Sequence, residues 1–409
     1  MFWCYHMVKL KKGTNMRKVY LDNAATTCVS NEVINEMMPC FNTIYGNPSS
    51  LHSYGREAAG VVDRARDRIA KAINAEHSNE IYFTSGGTEA DNWAIKGIAH
   101  ANKEKGKHII TSQIEHHAVL EACKELESEG FEVTYLPVDE YGVVSIAELM
   151  HNIRKDTILI SIMAVNNEVG TIQNIKAIGM TAKEKNIYYH VDAVQALGAV
   201  KLDVQDMQID AMSISSHKIY GPKGVGALYI RNGVKINPLI AGGNQERRKR
   251  GGTLNVPAIA GFGKACEIAN RDLFINAQKL KAIRHYFLQQ VEEKIPYIHV
   301  NGHPYQKIQG TVNISFEMIE GESILLMLDM RGICVSTGSA CTSGTLEPSH
   351  VLKAMGIDDA IAQGSIRFSF PKSISKEDID YVVENLVEVV EKLRSISPLT
   401  KAGRGKKNV

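Results

Sequence analysis

From Ile81 to Ile230 short apolar runs alternate with amphipathic helical stretches, and few architectures tolerate that order. Ile81-Tyr82-Phe83-Thr84, His108 to Thr111, Val133 to Leu136, Thr157 to Val165 and Ile187 to Val191 read as buried strands. Helices are expected at His117 to Leu126 and Ile175 to Lys185. Strands separated by helices return to the sheet in the same direction, so the spacing predicts an α/β layered region with a largely parallel sheet. Ahead of it, Ser30 caps a helix expected to reach Phe41. From Arg56 to Ile73 an apolar stripe of Ala59, Val62, Ala65, Ile69 and Ile73 opposes Asp63, Arg66, Asp67 and Arg68.

Open parallel sheets bind ligands beyond the carboxyl ends of their strands. In this chain polar residues gather there: His116, then Asn166-Asn167-Glu168, then Asp192 and Gln195. Each also suits a cap or turn, and Asp192 is equally readable as a helix N-cap. Ser85-Gly86-Gly87-Thr88-Glu89 follows a strand and opens a helix, where backbone N–H groups can meet a phosphate, although Gly-Gly is also a plain loop signal.

The most specific stretch is Met212-Ser213-Ile214-Ser215-Ser216-His217-Lys218-Ile219-Tyr220-Gly221-Pro222-Lys223-Gly224. An apolar strand stops at Lys218 and enters a Gly/Pro turn, with Ser215 and His217 beside the lysine. Low local polarity favours a reactive amine, which is what a Schiff-base lysine needs; an ordinary surface lysine at a turn is the competing reading. Met212 to Ser215 and Val225 to Ile230 suit an antiparallel pair. Ala241 to Thr253 is a Gly-flanked loop in which Arg247, Arg248, Lys249 and Arg250 read as a solvated patch, with Gly251-Gly252-Thr253 also able to reach a phosphate. Helices are expected from Val256 to Ala269 and again from Arg271 to Val291.

Beyond Arg271 the pattern changes to a strand at Thr311 to Phe316, a helix at Glu322 to Met330, a strand at Ile366 to Phe370 and a helix at Lys376 to Leu393, a smaller α+β region. Within it Cys334 lies in an apolar strand context, as inert core. Cys341, set among Gly338-Ser339-Ala340 and Thr342-Ser343-Gly344, is expected to be accessible as a thiolate.

The 409 residues carry a net charge of +2, which implies no nucleic-acid partner. Seven cysteines without C-x-x-C spacing argue against a disulfide framework or an all-cysteine zinc site and for a reducing compartment, hence a cytoplasmic protein. No apolar run is long enough to span a bilayer. Met1 to Asn15 read as a disordered or extraneous extension, and the basic stretch 400–409 as a solvated tail.

Six segments in order carry a resemblance: Leu21-Asp22-Asn23-Ala24-Ala25-Thr26-Thr27, Ser85-Gly86-Gly87-Thr88-Glu89, Asn166-Asn167-Glu168-Val169-Gly170, His190-Val191-Asp192-Ala193, Ser216 to Gly224, and Gly338-Ser339-Ala340-Cys341. From about Val19 to Leu399 the chain resembles the cysteine desulfurases, in the housekeeping branch of the class V aminotransferase superfamily. The resemblance implies the fold of pyridoxal 5'-phosphate (PLP) enzymes of fold type I. It divides the chain into an N-terminal segment 16–29 that joins the small domain, a large PLP-binding domain 30–271, and a small C-terminal domain 272–399 with the cysteine loop.

It implies that Lys218 forms the Schiff base with PLP, that Asp192 pairs with the pyridine nitrogen, that Gln195 bonds the phenolic oxygen, and that His116 stacks on the ring and moves protons. Gly87, Thr88, Ser215 and His217 would hold the phosphate, with Thr253 from a second copy in a homodimer. Arg367, in Ser365-Ile366-Arg367-Phe368-Ser369, and Asn167 would take the carboxylate of L-cysteine. Cys341 would attack the substrate sulfur, leaving alanine and a persulfide for an iron–sulfur scaffold or a tRNA thiolation enzyme, and could ligate a transient iron–sulfur cluster shared with that scaffold. Ser397-Pro398-Leu399 resembles the tail offered to such a scaffold. The loop Ala241-Gly242-Gly243-Asn244-Gln245-Glu246 departs from the common family pattern. A selenocysteine lyase or an aminotransferase on the same fold would retain Lys218 and Asp192, and remains the alternative; a PLP-dependent regulator would be expected to lose Lys218, His116 or Arg367.

Overall fold

A computed structural model describes residues 17–337 and 348–399. The readings made for 1–15, for Cys341 and its neighbours, and for 400–409 lie outside the described residues.

Seven strands form the main sheet, in the order Ile81–Thr84, Gly226–Ile230, Ala211–Ser215, Tyr188–Asp192, Thr157–Ser161, His108–Ser112, Glu132–Leu136. All are parallel except Gly226–Ile230, which runs antiparallel to both neighbours. The five strands from Gly226–Ile230 to His108–Ser112 have nearly every residue buried, because helices cover both faces; this is why they read as continuous apolar runs and not as alternating ones. Only the edge strand Glu132–Leu136 shows partial exposure along its length.

The opposite edge, Ile81–Thr84, is closed by side chains. Glu246, only 5% exposed, accepts from the Phe83 amide (2.8 Å) and pairs with buried Arg66 (2.7 Å), whose guanidinium also reaches the Ile81 carbonyl. Unpaired strand edges invite aggregation, and this one is occupied. The basic loop is solvated in part: Arg247 and Arg248 are exposed, while Arg250 is partly buried on an acid. Arg247 lies 4.0 Å over the Tyr82 ring, and Arg250 forks onto Glu89 at 2.8 and 3.0 Å. Glu246, Arg247 and Arg248 adopt φ of 44°, 55° and 65°, three successive left-handed residues without a glycine, held by these contacts.

A second sheet pairs Ser365–Ser369, Thr311–Phe316 and Ile298–Asn301, all antiparallel. Helices Gly321–Asp329 and Lys376–Ile396 share one apolar cluster with it, in which Phe287 and Phe368 lie 5.0 Å apart. The early strand Val19–Tyr20 pairs in parallel with Ile333–Cys334, and Val19 and Leu21 bury in this same cluster. Cys334 is half-buried there, and burial pushes its thiol up.

Two expected helices are one. Val256–Lys294 runs unbroken because no proline or glycine interrupts it after Gly263; what changes at Arg271 is the partner it buries against. Val256 to Ile268 pack on the first core, while Ile283, Phe287 and Val291 pack on the second. Conversely, the strand expected to reach Val165 ends at Ser161, although Ile162 and Ala164 still donate to the carbonyls of His190 and Asp192. The strand Ile298–Asn301 and the helix Ile146–Asn152 were not legible in the sequence.

Breaking a buried ion pair strands the remaining charge. Glu246→Ala should cost roughly 3–5 kcal/mol, seen as a lower Tm in circular dichroism, whereas Arg248→Ala, at an exposed contact, should stay within about 0.5 kcal/mol. Equal Tm values for the two variants would contradict this account of the edge.

Candidate active site

The carboxyl ends of the parallel strands open into one cavity of about 400 Å³. Ser215 ends the strand Ala211–Ser215, and the tight turn Ser216–Lys218 follows it. Asp192 ends Tyr188–Asp192. Gly87 opens the helix Gly87–Asn102, His116 caps His117–Ser128, and Arg367 enters from the second sheet. Gly87, Thr88, His116, Asn167, Asp192, Gln195, Ser215, His217, Lys218 and Arg367 all line this cavity. Thr253 does not; it is exposed on the loop before Val256. Cys341 lies outside the described residues.

The lysine turn is held in a conformation that few residues adopt. Tyr220 has φ 64°; its amide donates to Thr27 Oγ1 (2.8 Å) and its hydroxyl accepts from the Lys372 amide (2.8 Å). A Cβ at Gly221 would come within 2.1 Å of Ser216 Oγ, so the close turn requires glycine there. Lys218 Nζ donates to the carbonyls of Ala24 and Ala25 (2.8 Å to Ala25), and Gln195 Nε2 donates to Ala24 (2.9 Å). The small-residue turn near the N-terminus thus acts as the acceptor that aims both side chains.

Charge in the cavity is set by burial and by this ammonium. Burial raises the Asp192 carboxyl to about 6, against the Val194 amide (2.9 Å) and the Lys218 charge, which stabilise its anion. Asp91, also fully buried, has its pKa pushed well up by burial and then by Asp192. Burial and the Asp192 charge thus both favour the protonated form of Asp91. His116 Nδ1 accepts from the Ala118 amide (3.1 Å), which places the proton of the neutral ring on Nε2. Burial, then Lys218 and His117, lower its pKa to about 4. His217, bonded through Nδ1 to Thr26 Oγ1 (3.1 Å), falls to about 4 through burial and Lys218.

Arg367 is 3% exposed. Nη2 donates to Asp22 Oδ1 (2.9 Å) and Nη1 to the Asn167 carbonyl (3.0 Å), while Nε has no partner. Its backbone pairs with Ser336. Three residues important to this arrangement carried no assigned role in the sequence: Asp22, which clamps Arg367; Asp91, which faces the cavity; and Glu115. Burial raises Glu115 to about 8 while it accepts from Ser112 (2.6 Å) and the Met163 amide (3.0 Å). Asp91 had a usable signal, since it lies on the same buried stripe as Ala94, Ile95 and Ile98.

The donor set fits PLP. Ser215 Oγ is buried with no partner, beside the helix start at Gly87, where a Cβ would meet Val194 Cγ2 at 2.7 Å. That is a cradle left open for a phosphate, and Asp192 supplies a buried acid in the same cavity for a ring nitrogen.

Comparison with known proteins agrees with this chemistry. Residues 19–382 match the family described as aminotransferase class-V. Cysteine desulfurase IscS of Methanosarcina thermophila is 56% identical over 388 residues, covering 95% of this chain and 96% of that one. A solved NifS-like protein superposes with a TM-score of 0.87 at 41% identity, covering 92% of this chain and 100% of its own. SspA, solved in complex with cysteine, gives a TM-score of 0.77 at 39% identity over 86% of this chain and 99% of its own.

Both histidines are charged in the unfolded chain below their ordinary 6.5 but stay neutral in the fold down to about 4. Stability linked to them is therefore complete above pH 6.5 and is lost as pH falls toward 4. In the cofactor-free protein, an NMR titration of the His116 ring should show a midpoint near 4, moving upward in Lys218→Ala yet remaining below 6.5 because burial persists. An unmoved midpoint would remove Lys218 from the balance.

Proposed function

The chain belongs to the class V aminotransferase family and is a PLP-dependent cysteine desulfurase, and on that footing we propose how its residues divide the work. The observation carrying the proposal is that Lys218, from the main sheet, and Arg367, from the second, line one cavity. When bound, PLP supplies an electron sink for the carbon skeleton of the substrate. Lys218 would hold the cofactor covalently, Asp192 its ring nitrogen and Gln195 its phenolic oxygen. Gly87, Thr88, Ser215 and His217 would bind its phosphate, helped by Thr253 of a second copy.

Arg367 would take the carboxylate of L-cysteine through its planar fork, with Asn167 beside it; its unpartnered Nε supports this. Asp22, now on Nη2, keeps the fork oriented until the carboxylate arrives. The Nε2–H of neutral His116 and the amine of Lys218 would move the α-proton. Cys341 would attack as thiolate on the substrate sulfur: a sulfur–sulfur bond forms, the carbon–sulfur bond breaks, and its electron pair with a proton completes alanine. The persulfide on Cys341 would then pass to an acceptor, an iron–sulfur scaffold or a tRNA thiolation enzyme, and Cys341 could share a transient cluster with the scaffold. Leu399, 59% exposed, supports a docking tail there. We assign the large PLP-binding domain to 30–271 and the small domain to 16–29 with 272–399, and place the enzyme in the cytoplasm. Among the described residues no helix is long and apolar enough to cross a membrane.

Purified enzyme should be yellow and release sulfide and alanine from L-cysteine with a reductant. Cys341→Ala should keep the colour and lose sulfide release by about 10³-fold or more, and unchanged turnover would refute the persulfide step. A homodimer is supported by apolar side chains left exposed near the first helices: Met38 (54%), Phe41 (60%), Tyr45 (64%) and Leu51 (90%). Light scattering should give twice the chain mass; a monomer at micromolar concentration would sink the shared pocket.

A further inference from the structure

Beside the cavity, one buried carboxylate makes a bond that the reaction described above does not use. Glu168, 3% exposed, follows Asn167 of the cavity wall and accepts from Ser349 Oγ at 2.5 Å. Ser349 is also buried and caps the helix His350–Ala354, its Oγ accepting from the amides of Val351 (3.1 Å) and Leu352 (3.3 Å). One hydroxyl thus joins the start of that helix to the cavity wall. Val351, Leu352 and Met355 complete the seat by packing with Ile114, Met163 and Val169, and His350 Nε2 donates to the Glu115 carbonyl (3.0 Å), next to His116 in the chain. Glu168 is itself a fixed point: Asn166 Oδ1 accepts from its amide (2.9 Å) and from that of Val169 (3.0 Å), and Asn166 Nδ2 donates to the Ile114 carbonyl (3.1 Å).

The place of this bond in the chain gives it a use. Ser336 precedes Cys341 and Ser349 follows it. Ser336 exchanges both backbone hydrogen bonds with Arg367 (2.7 and 3.2 Å), and Arg367 Nη1 donates to the Asn167 carbonyl (3.0 Å). Both flanks of the cysteine are therefore tied to one strip of the cavity wall, one through Arg367 and the other through Glu168. We propose that Glu168 and Ser349 are a positioning pair for sulfur transfer: their bond holds the C-terminal flank of the Cys341 segment against the substrate site.

The proposal rests on the persulfide reading of Cys341 given above. Neither Glu168 nor Ser349 lines the cavity, so the pair acts through the segment it holds and not on the reacting atoms. The step it serves is the one in which the Cys341 thiolate bonds the substrate sulfur as the carbon–sulfur bond breaks. A misplacement of about 1 Å can slow such a step roughly 100-fold. A bond that served stability alone would lower Tm and leave the rate of the folded enzyme intact.

The test uses the full-length holoenzyme in a single turnover with L-cysteine, with the persulfide on Cys341 followed by mass spectrometry. Glu168→Ala and Ser349→Ala should each slow its formation roughly 10- to 100-fold. In steady state kcat should fall with KM unchanged, and the double variant should be no slower than the slower single one. L-Alanine, which carries the carboxylate but no sulfur, should bind both variants within about twofold of wild type in an absorbance titration. Glu168→Gln, whose side-chain carbonyl still accepts from Ser349, should recover most of the rate. A persulfide rate within about twofold of wild type in either alanine variant overturns the proposal. So does a Glu168→Gln variant as slow as Glu168→Ala, or L-alanine binding weakened as much as the rate. If Glu168→Ala fails to fold, Ser349→Ala, which removes only the hydroxyl, decides. Unchanged sulfide release in Cys341→Ala refutes the persulfide step itself, whereas its loss there beside wild-type rates in Ser349→Ala overturns the pairing alone.

Discussion

The charge of Lys218, acting second to burial, shifts the protonation of the groups around it. It helps hold His116 and His217 neutral, and it opposes the burial that would otherwise protonate Asp192 more completely. Its position depends on a turn that contains a left-handed Tyr220 and on two carbonyls from Ala24 and Ala25, far away in sequence. Strain of this kind persists only where surrounding contacts over-determine it, and here Thr27 and Lys372 supply them.

The cavity is a place where ordinary rules of burial are suspended in an ordered way. Ser215 Oγ, Asp91 Oδ1 and Arg367 Nε are sealed from solvent with nothing to bond. Leaving a buried polar group unpaired costs stability. Asp192 is helped to ionise by the Val194 amide and the Lys218 charge, and Asp22 and the Asn167 carbonyl hold two of the Arg367 nitrogens.

The opposite strategy appears at the sheet edge, where Glu246 and Arg66 are fully matched. The closing contacts come from a loop whose four basic residues read in sequence as a solvated cluster. Charge counts along a sequence do not reveal which arginines will find a ring, as Arg247 does, or a carboxylate, as Arg250 does.

Local chemistry was enough to read the strands Ile81–Thr84 and Thr311–Phe316, the antiparallel pair around Lys218, and the polar residues at the strand ends. Periodicity and turn chemistry are properties of neighbours in the chain, and they decided that a parallel sheet would present Asp192, His116 and Lys218 on one edge. The junction at Arg271 misled, because a change of burial partner looks in sequence like the end of a helix. What only the tertiary structure decided are the relations between residues distant in sequence: Asp22 on Arg367, Ala24 under Lys218, Glu246 on Arg66. Their energies come from desolvation and charge at close range, which exist only once the chain has brought those groups together.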